Sequence, residues 1–174
     1  MNIADAIAFL DRQVPNPTAG LPEELFLFAS RITPLVNVDL LVRDARGRTL
    51  LAWRDDCFNG QGWHIPGGIV RFKETLATRL QKVAEQELGT RVEFEPTPVA
   101  MHEIMHPTRA TRGHFLSLLY RCRVPADYAP DNAKHPEGTA GYLRWHDGCP
   151  ENLIAVHEVY RAMLAGTGAT PATA

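Results

Sequence analysis

Apolar residues recur along this chain with two different periods, and each change of period marks an element. Between Ile3 and Gln13, Ile3, Ile7 and Leu10 share one face with Asp5 and Asp11 elsewhere, the pattern of a short amphipathic helix. Val14-Pro15-Asn16-Pro17 ends it. A second helix begins after Leu21, with Pro22 at its first turn and Glu23 and Glu24 suited to the dipole, and runs to about Arg31 before Thr33-Pro34. Its apolar face is expected to pack on its own domain or on a partner subunit. From Leu35 to Val42 the period drops to two. Val36, Val38, Leu40 and Val42 fall on one face of a strand, and Leu35, Asn37, Asp39 and Leu41 on the other. Asn37 and Asp39 therefore share a face that is either wet or lines a pocket. Asp44-Ala45-Arg46-Gly47 predicts a hairpin turn, with Thr49 to Trp53 returning as the next strand. Val92 to Met105 and His114 to Val124 read as extended segments and Gly141 to Trp145 as a short strand. Glu151 to Leu164 reads as a closing amphipathic helix, and 166–174 as a disordered tail of small residues.

The helical period is clearest from Thr75 to Leu88, and it contains an acid out of place. At 100° per residue, Leu76, Leu80, Val83 and Ala84 form an apolar stripe. Glu87 lies within that stripe and in the last turn, where the helix dipole disfavours an anion. A positive partner is expected, and a metal ion is the sharper of the readings. Pro66, Gly67 and Gly68 allow a tight turn and a close backbone approach to a ligand before the helix, so a loop carbonyl could join Glu87. Neither GxGxxG nor GxxxxGK[ST] is present, so phosphate cradling by backbone amides alone is not indicated. A carboxylate-held Mg²⁺, with Mn²⁺ as a substitute, suits a site with so few acids.

Composition narrows the classes. The 174 residues, 45% of them hydrophobic, suffice for one packed domain. A formal net charge of −2 without a Lys/Arg run argues against nucleic-acid and membrane-surface partners. Cys57, Cys122 and Cys149 are widely spaced and read as reduced thiols. With no cleavable leader and no long apolar run, the expected compartment is the cytoplasm. His102, His106 and His114 lack metal-ligand spacing, and 126–138 forms a Pro/Asp/Asn/Gly loop of the length that functional lids use, carrying His135.

Gly68, five residues, Glu74, seven residues and then KVAEQELG resembles the signature box of the Nudix hydrolases, G-x5-E-x7-R-E-U-x-E-E-x-G-U. Gly68, Glu74, Glu87 and Gly89 match, while Lys82, Val83 and Gln86 stand where the pattern has Arg, Glu and Glu. Glu85 cannot substitute, being turned about 160° from Glu87 on the helix wheel. A box lacking those two acids resembles the GDP-mannose mannosyl hydrolase branch. The similarity extends through ITPLVNVDLLVRDARGRTLLAWR and GWHIPGG, covering roughly Leu25 to Trp145.

That resemblance implies an α/β (α+β) sandwich, a mixed sheet between the box helix and the C-terminal helix. Residues 34–165 would form the hydrolase domain, behind a helical segment 1–33 that joins the same domain or a dimer contact. It implies Mg²⁺-dependent hydrolysis of a nucleoside diphosphate sugar resembling GDP-mannose, with water attacking the sugar carbon to release nucleoside diphosphate and free sugar. Gly67 and Glu87 would hold the metal. Asp39 matches an active-site acid of the branch and Arg54 a phosphate-contacting arginine. Ile69 stands where the branch has a further arginine, and Arg71, two residues on, is the candidate to supply that charge. The branch's general base is a histidine in the loop before a Tyr-x-Trp strand, here Tyr142 to Trp145. His135 is the candidate, although it lies ten residues before Trp145 and the branch's histidine stands about five before it, where this chain has Ala140. Pyrophosphate cleavage of another nucleoside diphosphate derivative and nucleotide binding without turnover are the competing readings.

Overall fold

A computed structural model describes residues 2–166, so all of the expected tail except Gly166 lies outside the described residues. Helices α1 (Ile3–Gln13) and α2 (Glu23–Ile32) precede β1 (Leu35–Val42). Then come β2 (Thr49–Asp56), β3 (Gly60–His64), β4 (Gly67–Ile69) and α3 (Leu76–Val83). Strands β5 (Glu93–Phe94), β6 (Ala100–Met105), β7 (His114–Arg123) and β8 (Leu143–His146) and helix α4 (Arg161–Leu164) complete the order. No described helix is long and apolar enough to cross a membrane, and the three cysteines are free.

Two sheets form rather than one. The larger runs β4-β1-β7-β5 with β6 also on β7; β1 and β7 are parallel and every other pair is antiparallel. The smaller runs β3-β2-β8. The turn after β1 is built as expected, with the Asp44 carboxylate accepting from the Arg46 and Arg48 amides and Gly47 at φ +80°. The hairpin it announces stops at one bridge, Arg43 to Thr49. Both edges of β1 are already taken by β4 and β7, so β2 has to find its partners elsewhere.

Alternation in β1 and β2 divides the core in two. Val38, Leu40, Val42, Leu50 and Ala52 pack with Leu80, Val83, Ala84 and Leu88 of the box helix. Leu41 and Leu51, one residue out of phase, pack with Trp63, Ile65, Tyr160 and Leu164 towards the C-terminus. The closing helix expected over Glu151 to Leu164 is instead a 3₁₀ segment, Ala155–Tyr160, followed by the single α-turn of α4. Ile154, His157 and Tyr160 are all buried, and a period of three residues per turn keeps them on one side where a 3.6 period would fan them apart.

The box helix also departs from the regular wheel. Thr75 caps it, its hydroxyl accepting from the Thr78 amide at 3.1 Å, but after Val83 the backbone opens into a π turn, Ala84–Leu88, closed by Gly89 at φ +69°. The wider turn brings Leu88 into register with Val83 in the core. Glu87 thereby leaves the stripe on which an ideal helix would place it and turns towards the sheet edge.

At the other end of α3, Glu74 is buried and receives three donors: Arg79 at 2.6–2.7 Å, Lys82 at 3.0 Å and the Arg71 amide at 3.0 Å. Burial raises the Glu74 carboxyl, but these partners outweigh it and hold it below its ordinary value of 4.5. Lys82, standing where the motif has arginine, thus meets Glu74, while Arg79 supplies the buried fork.

The N-terminal segment is fastened at two points. The Arg71 guanidinium donates to the Ala19 carbonyl, and the Ser30 hydroxyl accepts from the Arg112 amide. Helix α1 buries nothing, and α2 leaves Phe28 and Ile32 exposed.

Glu74→Gln would leave Arg79 buried opposite a neutral amide. The expected cost is about 3–5 kcal/mol, read from the denaturant midpoint at neutral pH. Because the folded-state value is the lower one, the glutamate's contribution is complete above about 4.5 and is lost as pH falls through the folded value. The stability gap between wild type and variant should therefore close on acidification.

Candidate active site

One cleft with two lobes opens where β1, β2 and β4 meet, and Arg54 and His64 line both lobes. The first lobe has Asn37, Asp39 and Ser117 at its polar end, Ile69, Ile104 and Phe115 on its walls, and Arg109 and Arg112 at its rim. The second holds Gln86, Glu87, His135, Ala140 and Gly141.

Asp39 lines this cleft and is not on a solvated strand face. At 1% exposure its carboxylate accepts from Asn37 Nδ2 at 2.9 Å, Tyr160 Oη at 2.9 Å and the Ser117 hydroxyl. Asn37 also reaches Ser117 Oγ at 3.2 Å, so the polar half of β1 is one connected network. Tyr160 and Ser117 had no signal in the sequence, since each depends on a strand or turn about 80 to 120 residues away.

Gly67 faces Asp39 across the β1–β4 pair. The ladder bonds flanking it are Leu40 N to Pro66 O and Val70 N to Val36 O, which places the Asp39–Gly67 pair between bonded rungs. Both backbone groups of Gly67 thus point away from β1, and its amide donates to Glu87. A Cβ at Gly67 would sit 2.8 Å from Val38 O and nearer still to Asp39 Oδ1, and one at Gly68 would sit 2.8 Å from Val83 Cγ2. The paired glycines are required by crowding on both sides of β4.

Burial pushes the Glu87 carboxyl up to about 7, over the opposing pull of Arg54 and the Gly67 amide and with a further push from Asp39. Among the described residues no cation is within ion-pair distance of Glu87, and no group of three His, Cys, Asp or Glu could hold a metal. A desolvated lone carboxylate beside an outward-facing backbone carbonyl and the Gln86 amide fits one hard divalent cation that draws its other ligands from water and substrate oxygens.

Arg54 stands between the lobes, 3.2 Å from Asp56, and its field reaches Glu87, His64 and His157. His64 and His157 are buried and neutral. Burial, joined by Arg54 and by their proximity to each other, holds His64 well below 6.5, and burial lowers His157 against the pull of Asp39, with Arg54 adding to the lowering. Nδ1 of His64 donates to the Ile65 carbonyl at 2.9 Å, and Nδ1 of His157 accepts from the Ile65 amide at 3.0 Å, so the two rings carry opposite tautomers. His64 follows a tryptophan in a strand and gives no sequence signal, but it reaches both lobes.

His135 reaches the second lobe despite its offset along the chain. Asn132 pins its loop to Leu143 by two hydrogen bonds of 2.9 Å, and Tyr128 bonds the Leu88 carbonyl at 2.9 Å, making the 126–138 loop a fixed wall rather than a lid. Gly141 N bonds Trp53 O beside Arg54. His135 Nδ1 then donates to the Ala140 carbonyl at 2.8 Å, leaving the lone pair on Nε2. Arg71 is a correction: its guanidinium is spent on Ala19 and lines neither lobe, because the turn after β4 carries it towards the N-terminal segment. Ile69 puts an apolar wall in the first lobe.

Gly67→Ala should force β1 and β4 apart. The expected loss is about 1–3 kcal/mol or more in thermal or denaturant unfolding, with Asp39 displaced from its three donors.

The NUDIX domain model matches residues 33–156. The Low-salt glycan biosynthesis protein Agl8 of Haloferax volcanii is 30% identical over 129 residues, covering 72% of this chain and 81% of that protein. Among solved structures, a possible asymmetric diadenosine tetraphosphate hydrolase from Jonesia denitrificans superimposes with a TM-score of 0.59 at 21% identity, over 78% of this chain and 96% of the other. A UDP-X diphosphatase does so with a TM-score of 0.57 at 16% identity, over 96% of this chain and 71% of the other. With a family model matching well over half its length on a sandwich its solved neighbours share, the chain belongs to the Nudix family of hydrolases.

Proposed function

We propose that this Nudix hydrolase cleaves a nucleoside diphosphate sugar resembling GDP-mannose into nucleoside diphosphate and free sugar. The observation that carries the reading is the second lobe: Glu87, Arg54 and His135 share it, and His135 is hydrogen-bonded to the carbonyl of Ala140, the residue standing where the mannosyl hydrolase branch has its histidine. The similarity to a protein named for glycan biosynthesis points the same way.

Glu87, the Gly67 carbonyl and the Gln86 side chain would hold Mg²⁺ or Mn²⁺, which when bound neutralises charge on the diphosphate and improves it as a leaving group. Arg54 stabilises the negative charge that gathers on the departing diphosphate. His135 takes a proton at Nε2 from the attacking water, its ring oriented by the Nδ1 bond to Ala140. Asp39, held by its three donors, presents a fixed acceptor to the substrate in the first lobe. With Val83 and Gln86 in place of acids, the helix has no carboxylate in the cleft besides the metal-holding Glu87, and a base from the 126–138 loop fits that lack.

Two measurements check this. Glu87→Gln keeps the shape and removes the charge, so turnover should fall about tenfold to a hundredfold with a higher metal requirement. Wild-type activity at unchanged metal dependence would overturn Glu87 as ligand. Chromatography of the products should show nucleoside diphosphate and free sugar, with release about a hundredfold slower in His135→Gln. Nucleoside monophosphate and sugar 1-phosphate would instead establish attack at phosphorus.

A further inference from the structure

We propose that Arg109 and Arg112, carried to the rim of the first lobe by the loop between β6 and β7, form the anion site for the phosphate on the nucleoside side of the substrate, with α2 acting as the splint that holds the loop. The proposal rests on the nucleoside diphosphate reading above and adds the polarity with which the substrate lies across Arg54.

Three arginines converge on this lobe, and two of them make no ion pair with a carboxylate among the described residues. Arg54 is paired with Asp56 at 3.2 Å. Arg109 bonds only neutral oxygens, the Phe58 carbonyl and Asn59 Oδ1 at 3.2 Å. The Arg112 guanidinium lies over the Phe58 ring at 4.5 Å and the Phe26 ring at 5.7 Å, and no carboxylate stands within 4 Å of it among the described residues. Burial lowers the Arg112 value most, Arg54 lowers it further, and Asp56 pulls the other way, with a smaller lowering from Arg109. Like charges crowded in a half-buried rim are unfavourable until an anion enters between them.

The backbone is held in place for this purpose. Arg112 adopts φ +50°, a conformation costly for a side chain with a Cβ. It is retained by the Ser30 hydroxyl, which accepts from its amide at 3.0 Å, and by Phe26 beneath its side chain. Both belong to α2, so the N-terminal segment fixes the loop that delivers the arginines. Gly113 supports the tight path, since a Cβ there would lie 2.7 Å from the Arg109 carbonyl.

Polarity follows from what each lobe contains. Glu87 and His135 lie in the second lobe and Gly67 lines the first, so the metal-bound phosphate belongs where the lobes join beside Arg54 and the reacting sugar carbon beside His135. The nucleoside must then extend into the first, whose Ile104, Phe115 and Val156 offer apolar walls to a base and whose arginines offer charge to the adjoining phosphate.

The test uses metal-free protein in EDTA, titrated by calorimetry with GMP, UMP and AMP in turn, with the parent nucleosides and with mannose 1-phosphate. At least one monophosphate should bind, more tightly than its nucleoside and than the sugar phosphate. Affinity should drop about tenfold or more in Arg112→Gln and in Arg109→Gln, with a weaker salt dependence, while Arg46→Gln, in the exposed turn after β1, binds as wild type does. Ser30→Ala should lose several-fold and Ser30→Thr restore it, a pattern that a general loss of folding would not give. Absence of monophosphate binding to wild type, or equal binding by both arginine variants, would overturn the site. Should the arginine variants keep the wild-type KM for a nucleoside diphosphate sugar, the clamp fails while the hydrolase reading stands. Monophosphate binding by the clamp in a protein that turns over no nucleoside diphosphate derivative would retain the anion site and overturn the hydrolase reading.

Discussion

The site depends on how closely β4 can be pressed between β1 and the box helix. Gly67 lies against the Asp39 carboxylate on one side, and Gly68 lies against Val83 of α3 on the other, with no room for a methyl group at either. This crowding brings a side chain of β1, the backbone of β4 and a helix glutamate into one cleft, although they come from positions 39, 67 and 87. It also turns both backbone groups of Gly67 outwards, so that the strand edge becomes part of the polar lining.

Charge is distributed unevenly around that contact. At the buried start of α3, Glu74 is surrounded by more cationic donors than it needs, and the assembly is closed and structural. At the far end of the same helix Glu87 is desolvated with only an amide and a more distant arginine for company. The π turn separates the two cases, since it lets Leu88 take the core position and releases Glu87 to the cleft. Two buried histidines, both held below the ordinary imidazole value, and an arginine-rich rim complete the pocket.

Fastening by remote segments runs through the whole site. Asn132 and Tyr128 immobilise the loop bearing His135, Tyr160 from the C-terminal turn braces Asp39, and α2 holds Arg112. Such supports set side-chain positions to fractions of an ångström, the scale on which catalytic geometry is decided.

Local chemistry was readable from the residues. The alternation of Leu35 to Val42, the Asp44 turn and the out-of-place Glu87 all follow from periods and propensities within a few positions, and the box spacing identified the family. What the sequence could not disclose depends on contacts distant along the chain. Strand β2 abandons its hairpin because β4 and β7 occupy both edges of β1, and Arg71 is diverted by Ala19. The closing helix tightens to three residues per turn so that Ile154, His157 and Tyr160 share one side, and His135 is tied to the Ala140 carbonyl by a hydrogen bond across its own loop. Periodicity records which face of an element is buried, whereas the identity of the group that buries it is settled only when separate elements compete for the same edge, cavity or charge.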